Sequence, residues 1–110
     1  MEINFKTKKL GKILNSRKLI EKQYGNIATK KIIGRLKTMT LANNLKEVMK
    51  LPGRHHALSG NRKGQFACDL VHPYRLIYEP DNDPLPFDEN NLLIYSKVTI
   101  VEIIEITDYH

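Results

Sequence analysis

The sequence predicts an α+β domain, with two N-terminal helices packed on a twisted, mostly antiparallel sheet of about four or five strands. Three observations point there. Apolar residues recur at helical spacing through much of the first half of the chain, and the period changes to two after Leu51-Pro52-Gly53. The sequence then nears its end in the β-branched run Thr99 to Ile106. Helices at one end of the sequence and strands at the other suit one helical layer on one sheet, and 110 residues suffice for a single domain over 1–110.

Taken in order, Ile3 and Phe5 alternate with polar neighbours and predict a short first strand. From Lys9 to about Gln23, Leu10, Ile13, Leu14 and Ile20 fall at helical spacing; Gly25 is the expected stop, and Asn26 the expected cap of a second helix. Ala28, Ile32, Leu36 and Met39 give that helix its apolar stripe, with Lys30, Lys31, Arg35 and Lys37 mostly off it. Leu41 to Lys50 suits a short irregular helix. In Gln65 to Val71, Phe66, Cys68 and Leu70 share one face and Ala67, Asp69 and Val71 the other. His72-Pro73 predicts a turn into a partner strand, Tyr74 to Glu79. Residues 80–91, with three prolines, four acids and three asparagines, predict a surface loop. Leu92 to Tyr95 fits either strand or loop.

Charge is unevenly divided. Residues 1–50 hold 13 Lys/Arg against 3 Asp/Glu, and residues 51–110 hold 5 against 9, so the halves carry +10 and −4. A basic half favours an anionic partner, though lysine-rich solvated helix faces give the same composition. There is no apolar stretch of membrane-spanning length, and the start Met1-Glu2-Ile3-Asn4-Phe5 lacks the pattern of a secretion signal. One cysteine, Cys68, cannot form an internal disulfide, which fits a reducing compartment; the expected location is the cytoplasm.

The polar residues suited to chemistry cluster in the second half: Arg54, His55, His56, Arg62, Lys63, Arg75, Asp108, Tyr109 and His110. No histidine pair has the spacing of a helical zinc site, Cys68 sits on an apolar face, and no glycine-rich phosphate loop follows a strand, so neither metal nor cofactor is expected. These residue types do match metal-free RNA cleavage. There the ribose 2′-OH attacks the neighbouring phosphate, so the protein must only take one proton, give another, and steady the phosphate charge. Histidine suits both proton roles because it titrates near neutrality, and the arginine fork suits phosphate oxygens. His56 and Arg75 are the first candidates. Extended backbone points His55 away from His56, and His72, before a proline, suits a structural role. Arg54, Arg62 and Lys63 are candidate RNA contacts. Arg75 could instead be a strand cation paired with Asp69 or Glu79.

The segment His56-Ala57-Leu58-Ser59-Gly60-Asn61-Arg62-Lys63-Gly64-Gln65-Phe66 resembles the H-x-L-x-G-x-R-x-G-x-F segment of the RelE/ParE toxin superfamily, HigB-like branch. His72-Pro73-Tyr74-Arg75-Leu76-Ile77-Tyr78 resembles that branch's next strand, and Asp108-Tyr109-His110 its D-Y-H ending. The resemblance implies the toxin of a toxin–antitoxin pair: an mRNA endonuclease acting at the ribosome without a metal, neutralised by a helix-turn-helix antitoxin through which alone it reaches operator DNA. It implies an active site of His56, Asp108, Tyr109 and His110. The branch's lysine three residues after the histidine is replaced by Ser59, and Arg54, Arg62 or Arg75 would have to supply that charge. Two alternatives remain open: a gyrase-binding toxin of the ParE kind without nuclease activity, and a catalytically weak member that mainly binds its antitoxin and tunes repression.

Overall fold

A computed structural model describes residues 1–108. Strand β1 (Glu2–Phe5) is followed by helices α1 (Lys8–Leu14), α2 (Arg17–Leu41) and α3 (Leu45–Val48), then by β2 (His56–Ala57), β3 (Phe66–Asp69), β4 (Tyr74–Pro80) and β5 (Ile100–Asp108). The five strands form one mixed sheet in the order β1-β5-β4-β3-β2. β1 runs parallel to β5, and the other pairings are antiparallel. The expected α+β class therefore holds, as does the strand–turn–strand unit around His72-Pro73.

One face of the sheet lies under the helices. Leu14, Ile20, Ala28, Ile32 and Met39 from the helices share a buried cluster with Phe66, Cys68, Leu76, Tyr78, Val101 and Ile103 from the strands. Alternation along each strand sends these side chains to the same side, and their removal from water is the main stabilising term. Cys68 is fully buried there, and burial pushes its thiol up to about 12, so it belongs to the core as its neighbours predict.

The helical layer differs from the expectation in two places. The continuous helix expected from Lys9 to Gln23 is broken: α1 ends at Leu14, and Ser16 starts α2 by accepting a hydrogen bond from the Leu19 amide at 3.2 Å. The apolar spacing runs through this break because both sides feed one core. Further on, Gly25 breaks the helical geometry as expected (φ 85, ψ 168), but helical conformation resumes at Asn26, so Asn26 is the first residue after the break and not the cap. The layer thus has two breaks before Leu41, where one was expected. α3 occupies part of the segment expected to be irregular helix.

The pairing of β4 with β5 shifts between Ile77 and Tyr78: Ile77 faces Glu105, yet Tyr78 faces Ile103. The extra residue, Ile104, lets Ile103 and Ile106 both reach the helical core while Glu105 and Thr107 go to the other face. The connection from β4 to β5, which includes the surface loop expected over 80–91, carries an isolated bridge between Phe87 and Leu93 and a 3-10 turn at Tyr95–Lys97; it is tied down where the Leu45 amide donates to the Val98 carbonyl at 3.0 Å. No described helix is long and apolar enough to cross a membrane.

Two glycines of α2 give a paired test. At Gly25, φ and ψ fall where essentially only glycine is comfortable, while an added Cβ meets nothing within 4 Å. Gly34 has equal space but lies within regular helix. Gly25→Ala should lower unfolding free energy by about 1–3 kcal/mol, whereas Gly34→Ala should raise it by about 0.5–1 kcal/mol, both read from urea melts. Equal effects of the two changes would show that the bend at Gly25 is not backbone-encoded.

Candidate functional site

The sheet face away from the helices carries the charged residues. In register across the strands, His56 faces Ala67, Ala67 faces Ile77, and Ile77 faces Glu105. In the next row on that face, Asp69 faces Arg75 and Arg75 faces Thr107. Ala67, Ile77 and Ile104, with Leu58 over them, form a small apolar floor between the charges. His56 and Arg75 are two strands and two residues apart, so their backbones stand about 10–12 Å from each other at ordinary strand spacing.

Two shallow depressions open on this face. One, of about 370 Å³, is lined by Leu58, Ser59, Asn61, Arg62, Arg75 and Thr107. The other, of about 390 Å³, is lined by Arg54, Asp69, Leu70, His72, Pro73, Tyr74 and Arg75. Arg75 is common to both. Carboxylates fix two of the neighbouring cations. Arg54 donates through Nε and Nη2 to the two Asp69 carboxylate oxygens at 2.8 and 3.1 Å. Arg62 donates to Gln65 at 2.9 Å and to Glu105 at 3.1 Å, which ties the β2–β3 connection to β5.

Asp69 reports how the charges converge. The Arg54 hydrogen bonds lower its carboxyl pKa, and the charges of Arg54, His56 and Arg75 act in the same direction. At His56, Nδ1 lies 2.7 Å from the Arg54 carbonyl oxygen. A carbonyl only accepts, so Nδ1 carries the proton in the neutral ring and Nε2 keeps the lone pair. That is the protonation pattern of a base whose second nitrogen is fixed. The neighbouring His55 turns the opposite way, as expected for extended chain. It is buried, with Nδ1 2.8 Å from the Tyr78 hydroxyl. Burial, helped by the positive charges of Arg35 and His56, lowers its pKa from the usual 6.5 to about 4, so it is neutral at physiological pH.

The structure therefore brings His56, Arg54, Arg62 and Arg75 to one face. It places Lys63 elsewhere, on a separate groove with Phe66, Phe87 and Tyr95. Asp108 faces Tyr74 at the end of β5, one residue out of step with the Arg75–Thr107 pair. Tyr109 and His110 lie outside the described residues. Glu105 and Thr107 are site residues that the sequence did not single out; the strand register sets Arg75 opposite Asp69, whose carboxylate is held by Arg54. His72 lines the same depression as Arg75, which adds a position on the site to its role in the turn.

Chemically, the face offers one imidazole with a directed lone pair and several guanidinium groups at its edge. This combination can take a proton and hold an anionic group whose oxygens match the guanidinium fork, such as a phosphate. Among the described residues, no group of three or more His, Cys, Asp or Glu side chains is placed to hold a metal ion. No family model matches the chain, and no curated protein matches it.

His55 leads to a pH prediction. Its folded pKa lies below its unfolded one, so between pH 6.5 and about 4 the unfolded chain binds the extra proton and stability falls as pH falls. The loss across this window should be on the order of 2 kcal/mol, seen in chemical denaturation at stepped pH. His55→Asn, which keeps a polar atom for Tyr78 and cannot titrate, should flatten the curve there. A wild-type curve already flat between those values would refute the assignment.

Proposed function

We propose that this protein is a metal-independent endoribonuclease of the RelE/ParE toxin superfamily, HigB-like branch, which arrests translation by cutting mRNA on the ribosome. The observation that carries the reading is the placement of His56 and Arg75 on one bare sheet face, with the His56 Nδ1–H held by the Arg54 carbonyl at 2.7 Å. In the proposed reaction His56 Nε2 takes the 2′-OH proton. The 2′-oxygen bonds to phosphorus and the bond to the 5′-oxygen breaks, leaving a 2′,3′-cyclic phosphate and a 5′-OH. Arg75 stabilises the added negative charge on the phosphate oxygens. His110 is assigned the proton for the leaving oxygen, with Asp108 and Tyr109 as its neighbours in sequence.

Ser59 bears on the strength of this activity. The resemblance places a lysine there, but the depression beside Ser59 is lined by Arg62 and Arg75, which supply positive charge to the same space. The +10 half is assigned to the antitoxin. Lys30, Lys31 and Arg35 line a depression of about 500 Å³ with the exposed Ile27, a surface suited to an acidic, partly apolar segment. The reading calls for no cofactor and no membrane. The pairing of Arg54 and Arg62 with carboxylates favours a second reading, a catalytically weak member that chiefly binds its antitoxin.

The test is induction in growing cells with mapping of mRNA ends. The nuclease reading expects arrest with cuts inside translated messages, and a loss of about 10²–10⁴-fold in cutting for His56→Ala or Arg75→Ala. Ser59→Lys should raise cutting. Arrest with intact mRNA and gyrase-linked DNA breaks would replace the nuclease with a gyrase poison, and no arrest, with antitoxin binding retained, would favour the weak member.

A further inference from the structure

We infer that Asp69 is a positioning residue for His56, acting through the backbone of Arg54. Arg54 is one of two non-glycine residues with positive φ among the described residues, at 54°. A side-chain-bearing residue seldom stays there unless its surroundings hold it, and such residues concentrate at functional sites. Here the surroundings converge on Asp69. Its carboxylate holds the Arg54 guanidinium through two hydrogen bonds, at 2.8 and 3.1 Å. Its amide donates to the carbonyl of the preceding Gly53 at 2.7 Å. Its own carbonyl accepts from Arg35 Nε at 3.0 Å. The Arg35 guanidinium in turn lies against Gly53, where φ is 114° and a Cβ would collide with it.

The consequence appears at His56. With Arg54 turned this way, its carbonyl oxygen stands 2.7 Å from His56 Nδ1 and accepts its proton. A histidine side chain free in water prefers its proton on Nε2, so the observed contact selects the less favoured tautomer. Only that tautomer leaves Nε2 as the proton acceptor. Among the described residues Asp69 thus sets which nitrogen of His56 can act as a base, with no hydrogen bond from its own carboxylate to His56.

The inference rests on the proposed nuclease reading for its purpose, but its test does not. The readout is the imidazole ¹⁵N spectrum of the free, full-length protein at about pH 8.5, above the ordinary histidine pKa. Wild type should show a pyrrole-type Nδ1 and a pyridine-type Nε2 at His56. Asp69→Asn should lower the ratio of Nδ1–H to Nε2–H about tenfold, the scale of one hydrogen bond. Arg54→Lys should shift it the same way, since an ammonium lacks the two-pronged geometry; that side chain is exposed, so this variant keeps the test readable if Asp69→Asn fails to fold. Adding Arg54→Gly to Asp69→Asn should move the ratio back toward the wild-type value, because glycine enters positive φ without the steric cost that a side chain imposes. A wild-type ratio in Arg54→Lys and in any folded Asp69→Asn, or no restoration by glycine, overturns the inference. A protein that shows these shifts yet cuts no RNA keeps the clamp and loses the nuclease reading; one that cuts RNA with an unshifted ratio keeps the nuclease and loses the clamp.

Discussion

Asp69 is the residue on which the candidate site depends. Through its backbone it joins the last residue of β3 to the loop at Gly53 and to α2 at Arg35; through its carboxylate it holds Arg54. The helical layer, the sheet and the connection into β2 therefore meet at one position. The cross-strand neighbour of that position is Arg75, and the residue it clamps supplies the hydrogen-bond acceptor for His56. Loosening this junction would move the imidazole and the Arg54 guanidinium together, because neither is placed by a long strand, whereas Arg75 is held within β4 between β3 and β5. Arg54 precedes β2, and β2 itself has only two residues.

Magnitudes show why several contacts are needed. A non-glycine residue in the left-handed region costs about 1–2 kcal/mol, and an exposed ion pair returns only about 0.2–1 kcal/mol. The Arg54–Asp69 pair is of the exposed kind, with the two side chains 68% and 40% accessible. Its two-pronged geometry puts it toward the favourable end of that range, yet it does not by itself hold the backbone. The Gly53–Asp69 backbone bond and the His56–Arg54 bond add their shares, each about 0.5–1.5 kcal/mol net. The strained conformation is thus held by a group of bonds that form together, and the loss of one weakens the others. This also separates Asp69 from Glu105, which orders Arg62 but has no backbone conformation to maintain.

The sheet was legible because its pattern is simple. The change of period after Leu51-Pro52-Gly53, the apolar alternation around Cys68 and the His72-Pro73 turn each have one physical reading, and the strands β3 and β4 follow from them. The break between α1 and α2 was not legible from periodicity, since Leu14 and Ile20 both feed the same core; the only local sign is Ser16 as a cap. The bulge in β5 does leave a mark. Ile103 and Ile106, three residues apart, both face the helical core, where strict alternation would put them on opposite faces. For the site, residue types identified His56, Arg54, Arg62 and Arg75, but their convergence needed the strand register. Whether Arg75 lies beside Asp69 or Glu79 depends on pairing across strands, which no local pattern fixes. Lys63, one residue from Arg62, went to another groove because the turn at Gly60–Arg62 separates the two side chains.

The carboxylates on this face also have a consequence for an anionic substrate. Asp69 and Glu105 occupy two of the guanidinium groups that a phosphate would use, and in the proposed reaction they add negative charge beside the RNA backbone. They also hold those groups in place before any ligand arrives, so fewer side-chain rotations are lost when a phosphate binds. Arg75 differs from both. It lies in the strand row between Asp69 and Thr107 and lines both depressions, so in the proposed reaction a phosphate entering from either side would meet its side chain. With Ser59 in place of a longer cation, the depression beside Arg62 stays open at about 370 Å³, room that a lysine side chain would fill in part. In the proposed reaction the smaller residue therefore trades one mobile charge for access to two arginines, one of them anchored to Glu105. In that reaction the balance between anchored charge and local repulsion, more than the number of cations, would set how strongly this face holds a phosphate in its more negative transition state.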